Sequence, residues 1–322
     1  MHDFNNMKAM AFAPAAVHAA FLGFPASTGL PRRPASTSAY TVVDAVIAPP
    51  ERVAAAFSEA LCYMPYTYQP QDPNAALGGP RLTTAAILAR GLSTTPPSPA
   101  IVAIWAEEGL SASQLGIGSS GGAARQPRVL VSFNRWSKTD PRQWRTWMNI
   151  LLQQPDAILW LYGGTSAPCH WRAPQPLDSA TERYGGACNE TAAPHIHHLW
   201  QEAAAAGVHP RRIVFAPKRA RAAHLHRHWA ADVLLDSRIY GAHTTASDGL
   251  YTGLPLVTTL GRDFAARVGT SLLRAMSPEA TMGVTHTQRE YEDVALLMVR
   301  DTALNSALRA TSQLFDSCAD RP

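Results

Sequence analysis

The sequence is short of charge, of cysteine and of long apolar runs, and each shortage removes a class of protein. Charged residues make up only 16% of the chain against 46% hydrophobic residues, a balance that excludes wholesale disorder. No apolar run approaches the roughly 18 to 20 residues that cross a bilayer, because His, Arg or Pro interrupts each Ala-rich stretch. The start carries His2, Asp3, Asn5 and Asn6, where a signal peptide needs a basic end and an apolar block. An intracellular location is expected. The cysteines, Cys62, Cys169, Cys188 and Cys318, form no CxxC pair, so neither a disulfide framework nor a cysteine zinc site is expected, and free thiols are. A P-loop, a Ser/His/Asp order and an internal repeat are also missing.

What remains is enough chain, 322 residues, for two domains and a sizeable core. From Val129 onward, apolar runs alternate with helical patterns at the spacing of repeated strand-helix units, which implies a parallel sheet covered by helices. Strands are expected at Val129 to Phe133, Ala157 to Tyr162, Arg212 to Ala216, Val233 to Leu235 and Leu256 to Thr259. Helices are expected from Asp140-Pro141 to Gln153, Ile196 to Ala206, His224 to Ala230 and Thr244 to Thr252, with closing helices over Asp263 to Met276 and Gln288 to Leu308. The amino-terminal half reads as incomplete, with strand-like Ala20 to Leu22 and Thr41 to Ile47. The expected organisation is a partial lobe over 1–77, a flexible inter-lobe loop over 78–126 and a Rossmann-like lobe over 127–322. Tyr162 to His195 reads as a long irregular insertion.

Three constellations could carry chemistry. Between Glu202 and Asp232 there is no acidic residue, while Arg211, Arg212, Lys218, Arg219, Arg221 and Arg227 stand among His209, His224, His226 and His228. This is either a solvated basic face or an anion site at a strand's carboxyl end. Metal binding by His224, His226 and His228 is disfavoured, since alternate helical residues do not share a face. Gly241 to Asp248 follows a strand and opens a helix whose Thr244 and Thr245 hydroxyls and first amides could cradle phosphate, with Asp248 placed for ribose hydroxyls. An ordinary threonine-rich helix start with a solvent-facing Asp fits the same residues. Lys138, in the loop after the first strand of the lobe, could neutralise a leaving diphosphate or simply be solvated.

Taken together, several stretches resemble the catalytic region of the O-GlcNAc transferase family. They are Phe21 to Pro25 with Ser27 to Gly29, Glu59 to Pro65, Phe133-Asn134 with Lys138 and Asp140-Pro141, Pro155 to Leu161, Arg212 to Phe215, Ala231 to Val233, Leu235-Asp236, Gly241 to Asp248, Gly253 to Pro255, Arg267-Val268 and Glu290 to Glu292. The resemblance implies an α/β fold of the GT-B type, with a complete carboxyl-terminal Rossmann-like lobe and part of the amino-terminal lobe, and the chain departs from the family in that its tetratricopeptide repeats are not expected here. It implies transfer of N-acetylglucosamine from UDP-GlcNAc to Ser or Thr of cytoplasmic and nuclear proteins, with inversion. Lys138 would be catalytic. His243, Thr244 and Thr245 would cradle the diphosphate, Asp248 would take the ribose, and Arg221, His224 and Arg227 would surround the uracil. Arg135, Tyr162, Arg219, Tyr240, Gly23 and Pro25 would complete the donor site. No metal, cofactor, nucleic acid or membrane is expected, the partners being a UDP-sugar and acceptor proteins. Two rival readings are a protein O-fucosyltransferase using GDP-fucose and a non-catalytic nucleotide-sugar-binding fragment or paralogue.

Overall fold

The computed structural model describes residues 15–29, 38–70, 99–110, 127–171, 193–277 and 279–312. Its first half holds strands β1 (Val17–Ala20), β2 (Ser38–Val43) and β3 (Ala60–Tyr63), with the short helix α1 (Val53–Ala56) and then helix α2 (Pro99–Glu108). The second half runs β4 (Arg128–Ser132), α3 (Pro141–Gln153), β5 (Ala157–Tyr162), α4 (Pro194–Ala205), β6 (Ile213–Ala216), α5 (Arg221–Arg227) and β7 (Val233–Leu235). It continues through α6 (Thr244–Tyr251), β8 (Leu256–Thr259), α7 (Val268–Met276), β9 (Val284–Thr285), α8 (Gln288–Arg300) and α9 (Thr302–Ser312). The strands form two parallel sheets, a small one in the order β1-β2-β3 and a large one in the order β6-β5-β4-β7-β8-β9.

Both faces of the large sheet are covered, which is why its strands read as continuous apolar runs. Val129, Val131, Phe133, Ile158 and Trp160 face a core shared with α2, α6 and α7. Leu130, Leu159 and Leu161 face the other core, with Trp147 and Ile150 of α3, Trp200 of α4 and Tyr291 of α8. Asp140 caps α3 by accepting from the Arg142 and Gln143 amides ahead of Pro141. A capping box between Thr287 and Glu290 opens α8.

The structure corrects several boundaries. The strand expected at Ala20 to Leu22 lies at Val17–Ala20 instead, because Leu22 adopts a φ of 48°, which a strand does not allow. The strand expected to reach Ile47 stops at Val43, where the Asp44 carboxylate accepts from the Val46 and Ile47 amides and turns the chain. The segment 78–126, expected to be a loop throughout, contains helix α2, whose Ile101 and Trp105 join the core. The expected closing helix over Gln288 to Leu308 divides at Asp301, which ends α8 and caps α9 through the Leu304 amide. The two-residue strand β9 gives too short a signal to read from sequence. Cys169 is buried and disulfide-bonded, against the expectation of free thiols, whereas Cys62 is free and exposed. The segment 172–192 of the irregular insertion lies outside the described residues.

The small sheet is joined to α7 by polar staples. Asp44 accepts from the Ser271 hydroxyl at 2.7 Å and from the Tyr68 amide at 2.9 Å, and Arg267 donates to the Val46 carbonyl at 2.6 Å. Phe264 packs edge-on against Tyr68 with ring centroids 4.9 Å apart.

Candidate functional site

From β4 the chain moves outward through β5 to β6, then returns to place β7 on the other side of β4. That reversal opens a crevice at the carboxyl ends of β4 and β7, the place where ligands of open parallel sheets bind. The loops after these two strands meet there. Asn134, after β4, donates to the Ser237 hydroxyl at 3.0 Å and accepts from the Thr245 hydroxyl at 3.0 Å. Lys138, at the end of a single 3-10 turn, donates to the Gly241 carbonyl at 2.9 Å, with its ammonium 4.1 Å from the centre of the Tyr240 ring. Tyr240 stacks in turn on His243 at 5.1 Å, and His243 is the residue before α6. A buried-side lysine therefore stands beside a helix start, where the dipole also favours negative charge.

Desolvation is the main influence on Lys138 and lowers its pKa to about 8, with Asp236 opposing the shift and Arg135 adding to it. Asp236 is the hub of the second loop. It is buried, its pKa is raised by that burial, and it accepts from the Ala242 amide at 2.5 Å, the Ser237 amide at 2.6 Å and the Thr258 hydroxyl at 2.7 Å. A Cβ on Gly269 would sit 2.8 Å from both Asp236 Oδ2 and Thr258 Oγ1, so glycine at the start of α7 makes room for the hub. Tyr291 of α8 donates to the Asp236 carbonyl at 2.9 Å. Sequence reading quoted Asp236 only within a motif, because a carboxylate that fastens a turn carries no local signature.

Next to this crevice, α5 and α6 face each other. Arg221 makes a two-pronged ion pair with Asp248, which is 1% exposed. His224 lies 3.7 Å from the same carboxylate, is held at Nδ1 by Arg227 at 2.7 Å, and tilts against the Phe133 ring at 5.4 Å. Burial first, then the cationic neighbours and His228, push the His224 pKa down to about 2, so its ring is neutral at ordinary pH. Arg227 is 3% exposed and turns its two terminal nitrogens to the Pro217 carbonyl and His224, with its guanidinium 4.1 Å above Phe133.

The remaining expected site residues are placed as follows. Arg219 pairs with Glu108 of α2 at 3.0 Å. Arg135 is exposed beside Lys138. Tyr162 ends β5 and lines a small cavity with Ser132, Asn134 and Trp136. Trp136, which sequence reading passed over, is 53% exposed and stacks on His195 at 5.1 Å. Gly23 and Pro25 belong to the loop after β1 in the small sheet, where Gly23 has open space around its backbone. Ser27 and Thr28 of that loop are held by the Glu59 carboxylate, which is buried before β3. No group of three or more His, Cys, Asp or Glu side chains suited to a metal ion occurs among the described residues, and no helix among them is long and apolar enough to cross a membrane.

Comparison with known proteins finds relatives over much of the chain. Residues 192–318 match the family model Glycosyl transferase family 41. A probable UDP-N-acetylglucosamine peptide N-acetylglucosaminyltransferase of Arabidopsis thaliana, SEC, is 26% identical over 95% of this chain and 26% of its own length. The UDP-N-acetylglucosamine peptide N-acetylglucosaminyltransferase of Caenorhabditis elegans is 33% identical over 58% of this chain and 14% of its own. The chain thus spans about a quarter or less of these relatives. Among solved structures, a mutant O-GlcNAc transferase of Thermobaculum terrenum superimposes with a TM-score of 0.64 at 24% identity, covering 96% of this chain and 46% of the other. The fold is of the GT-B type, and the resemblance read from the sequence is borne out.

Proposed function

We propose that this chain, which carries a family 41 glycosyltransferase segment over residues 192–318, binds UDP-GlcNAc and transfers N-acetylglucosamine to Ser or Thr hydroxyls of proteins. The observation that carries the reading is the position of Lys138. Its ammonium is fixed on the Gly241 carbonyl, over Tyr240 and beside the start of α6, at the reversal point of the sheet. A diphosphate placed there meets a desolvated cation and the positive end of a helix together. The names of the relatives supply the sugar and the acceptor class.

The chemistry follows from that placement. The acceptor hydroxyl attacks the anomeric carbon from the face opposite the diphosphate, the bond to the UDP oxygen breaks, the configuration inverts, and the hydroxyl proton is released to solvent. Charge grows on the departing UDP, and Lys138 with the helix start takes it up. His224, held neutral, offers a flat ring to a nucleobase. Asp248 is engaged by Arg221, so a ribose that uses this carboxylate must share it with the guanidinium. The proposal assigns the reaction no metal and sets it inside the cell, in cytoplasm or nucleus. Nothing in the comparisons supports the GDP-fucose alternative.

The test is transfer of radiolabelled GlcNAc from UDP-GlcNAc to a mixture of unmodified acceptor proteins by the purified chain. Label is expected on protein, with Lys138→Ala lowering the rate by about 100-fold or more and leaving the thermal midpoint in place. Labelling by Lys138→Ala at the parent rate overturns the assignment of Lys138. A parent chain that binds UDP but transfers nothing supports the non-catalytic alternative.

A further inference from the structure

The segment between the two sheets reads from sequence as a flexible loop, yet part of it reaches into the donor site. Helix α2 is anchored twice on the large lobe. Ile101, Trp105 and Leu110 are buried in the core that contains Phe133, Trp160 and Ala230. The Trp105 indole also donates to the Ala230 carbonyl at 3.1 Å. This places Glu108, the last residue of α2, against the chain that follows β6. Glu108 is 3% exposed, its Oε1 accepts from Arg219 Nε at 3.0 Å, and its Oε2 is buried with no hydrogen-bond partner. Arg219 is about one-third exposed and lies two residues before α5, at the carboxyl edge of the sheet.

We infer that Glu108 is a positioning residue of the donor site, holding Arg219 so that its outer guanidinium nitrogens meet an acceptor on the bound nucleotide. This rests on the donor-binding reading above. Arg219 belongs to a run of cations with Lys218, Arg221 and Arg227 and with no acid of its own in that stretch. Left to itself, a long side chain there is repelled by its neighbours and free to rotate. The Glu108 carboxylate removes that freedom through the Nε edge. The terminal nitrogens, which have no hydrogen-bond partner among the described residues, keep their donors for a ligand. Arg221 and His224, which meet Asp248, follow Arg219 in the chain. The segment that does this lies outside the matched residues 192–318.

Calorimetric titration of the full chain with UDP tests the inference through a double-mutant cycle of Glu108→Gln, Arg219→Gln and the pair. Each single variant is expected to weaken UDP roughly 10-fold, and the double variant no more than the weaker single one. Glu108→Asp, which keeps the charge, is expected to retain most of the affinity, so the result does not hang on whether Glu108→Gln folds. A Glu108→Gln variant that binds UDP as the parent does, or losses that multiply in the double variant, overturns the inference while leaving the donor site standing. A parent chain that binds no UDP removes both.

Discussion

Strands β4 and β7 are buried along nearly their whole length, whereas β1 alternates between half-buried and exposed residues and β3 ends exposed. The two sheets therefore hold their following loops by different means. In the large sheet the strand ends are fixed by two cores, and the buried Asp236 carboxylate folds the turn against Lys138. In the small sheet packing is thin, and single carboxylates carry the load: Asp44 ties it to α7, and Glu59 holds the Ser27-Thr28 end of the loop that contains Gly23 and Pro25. A fully covered parallel sheet can place functional groups with few polar staples, and a partly covered one cannot.

Substitutions at these staples sharpen or break that contrast. The largest effect is expected for Asp236→Ala, which strands two amides and a hydroxyl inside the core. It is expected to lower stability by about 3 kcal/mol or more, read by urea unfolding, and to abolish UDP binding. Gly269→Ala pushes a methyl group against the same hub and is expected to cost about 1 to 3 kcal/mol. A neutral result there would show that the hub is not tightly packed.

An acid titration addresses the α5 cluster. The pKa values of His224 and His228 are lowered to about 2 and about 3, each chiefly by burial. The unfolded chain therefore takes up protons on these rings near pH 6.5 while the folded chain refuses them. Stability present above that pH falls as the pH drops from about 6.5 toward 3. Urea midpoints at pH 7 and pH 4.5 check this, and His228→Gln is expected to shrink the difference. The smallest effect is expected for Glu59→Gln, about 1 kcal/mol and local. Hydrogen exchange at residues 21–29 should quicken while the large lobe stays protected. Equal quickening in both sheets would contradict the comparison.

The large lobe was legible because its strands are apolar throughout and its helices carry regular starts such as Asp140-Pro141. The same clarity gave Lys138 and Gly241 to Asp248, which sit at ends of elements and close in space. Harder to read was anything made by contact between distant segments. Asp236, Glu108 and the Arg221–Asp248 pair join residues 22 to 111 positions apart, and no local periodicity announces them. Helix α2 escaped notice because its flanks are rich in Gly, Pro and Ser, and its apolar residues do not follow a one-sided pattern. The resemblance puts Arg227 beside the uracil, and its side chain is buried, donating to the Pro217 carbonyl with its guanidinium over Phe133.

The central claim is that Lys138, poised near neutrality at the reversal point of the sheet, meets the diphosphate. The direct test is calorimetric titration of UDP against the parent chain and Lys138→Met between pH 7 and pH 9.5. With a free-state pKa of about 8, and with the UDP phosphate already fully ionised above pH 7.5, parent affinity should fall above pH 8 by a factor approaching about tenfold per pH unit. Lys138→Met should bind more weakly at pH 7 and show no such slope. A slope that survives in Lys138→Met, or parent binding that is flat across the range, would contradict the account.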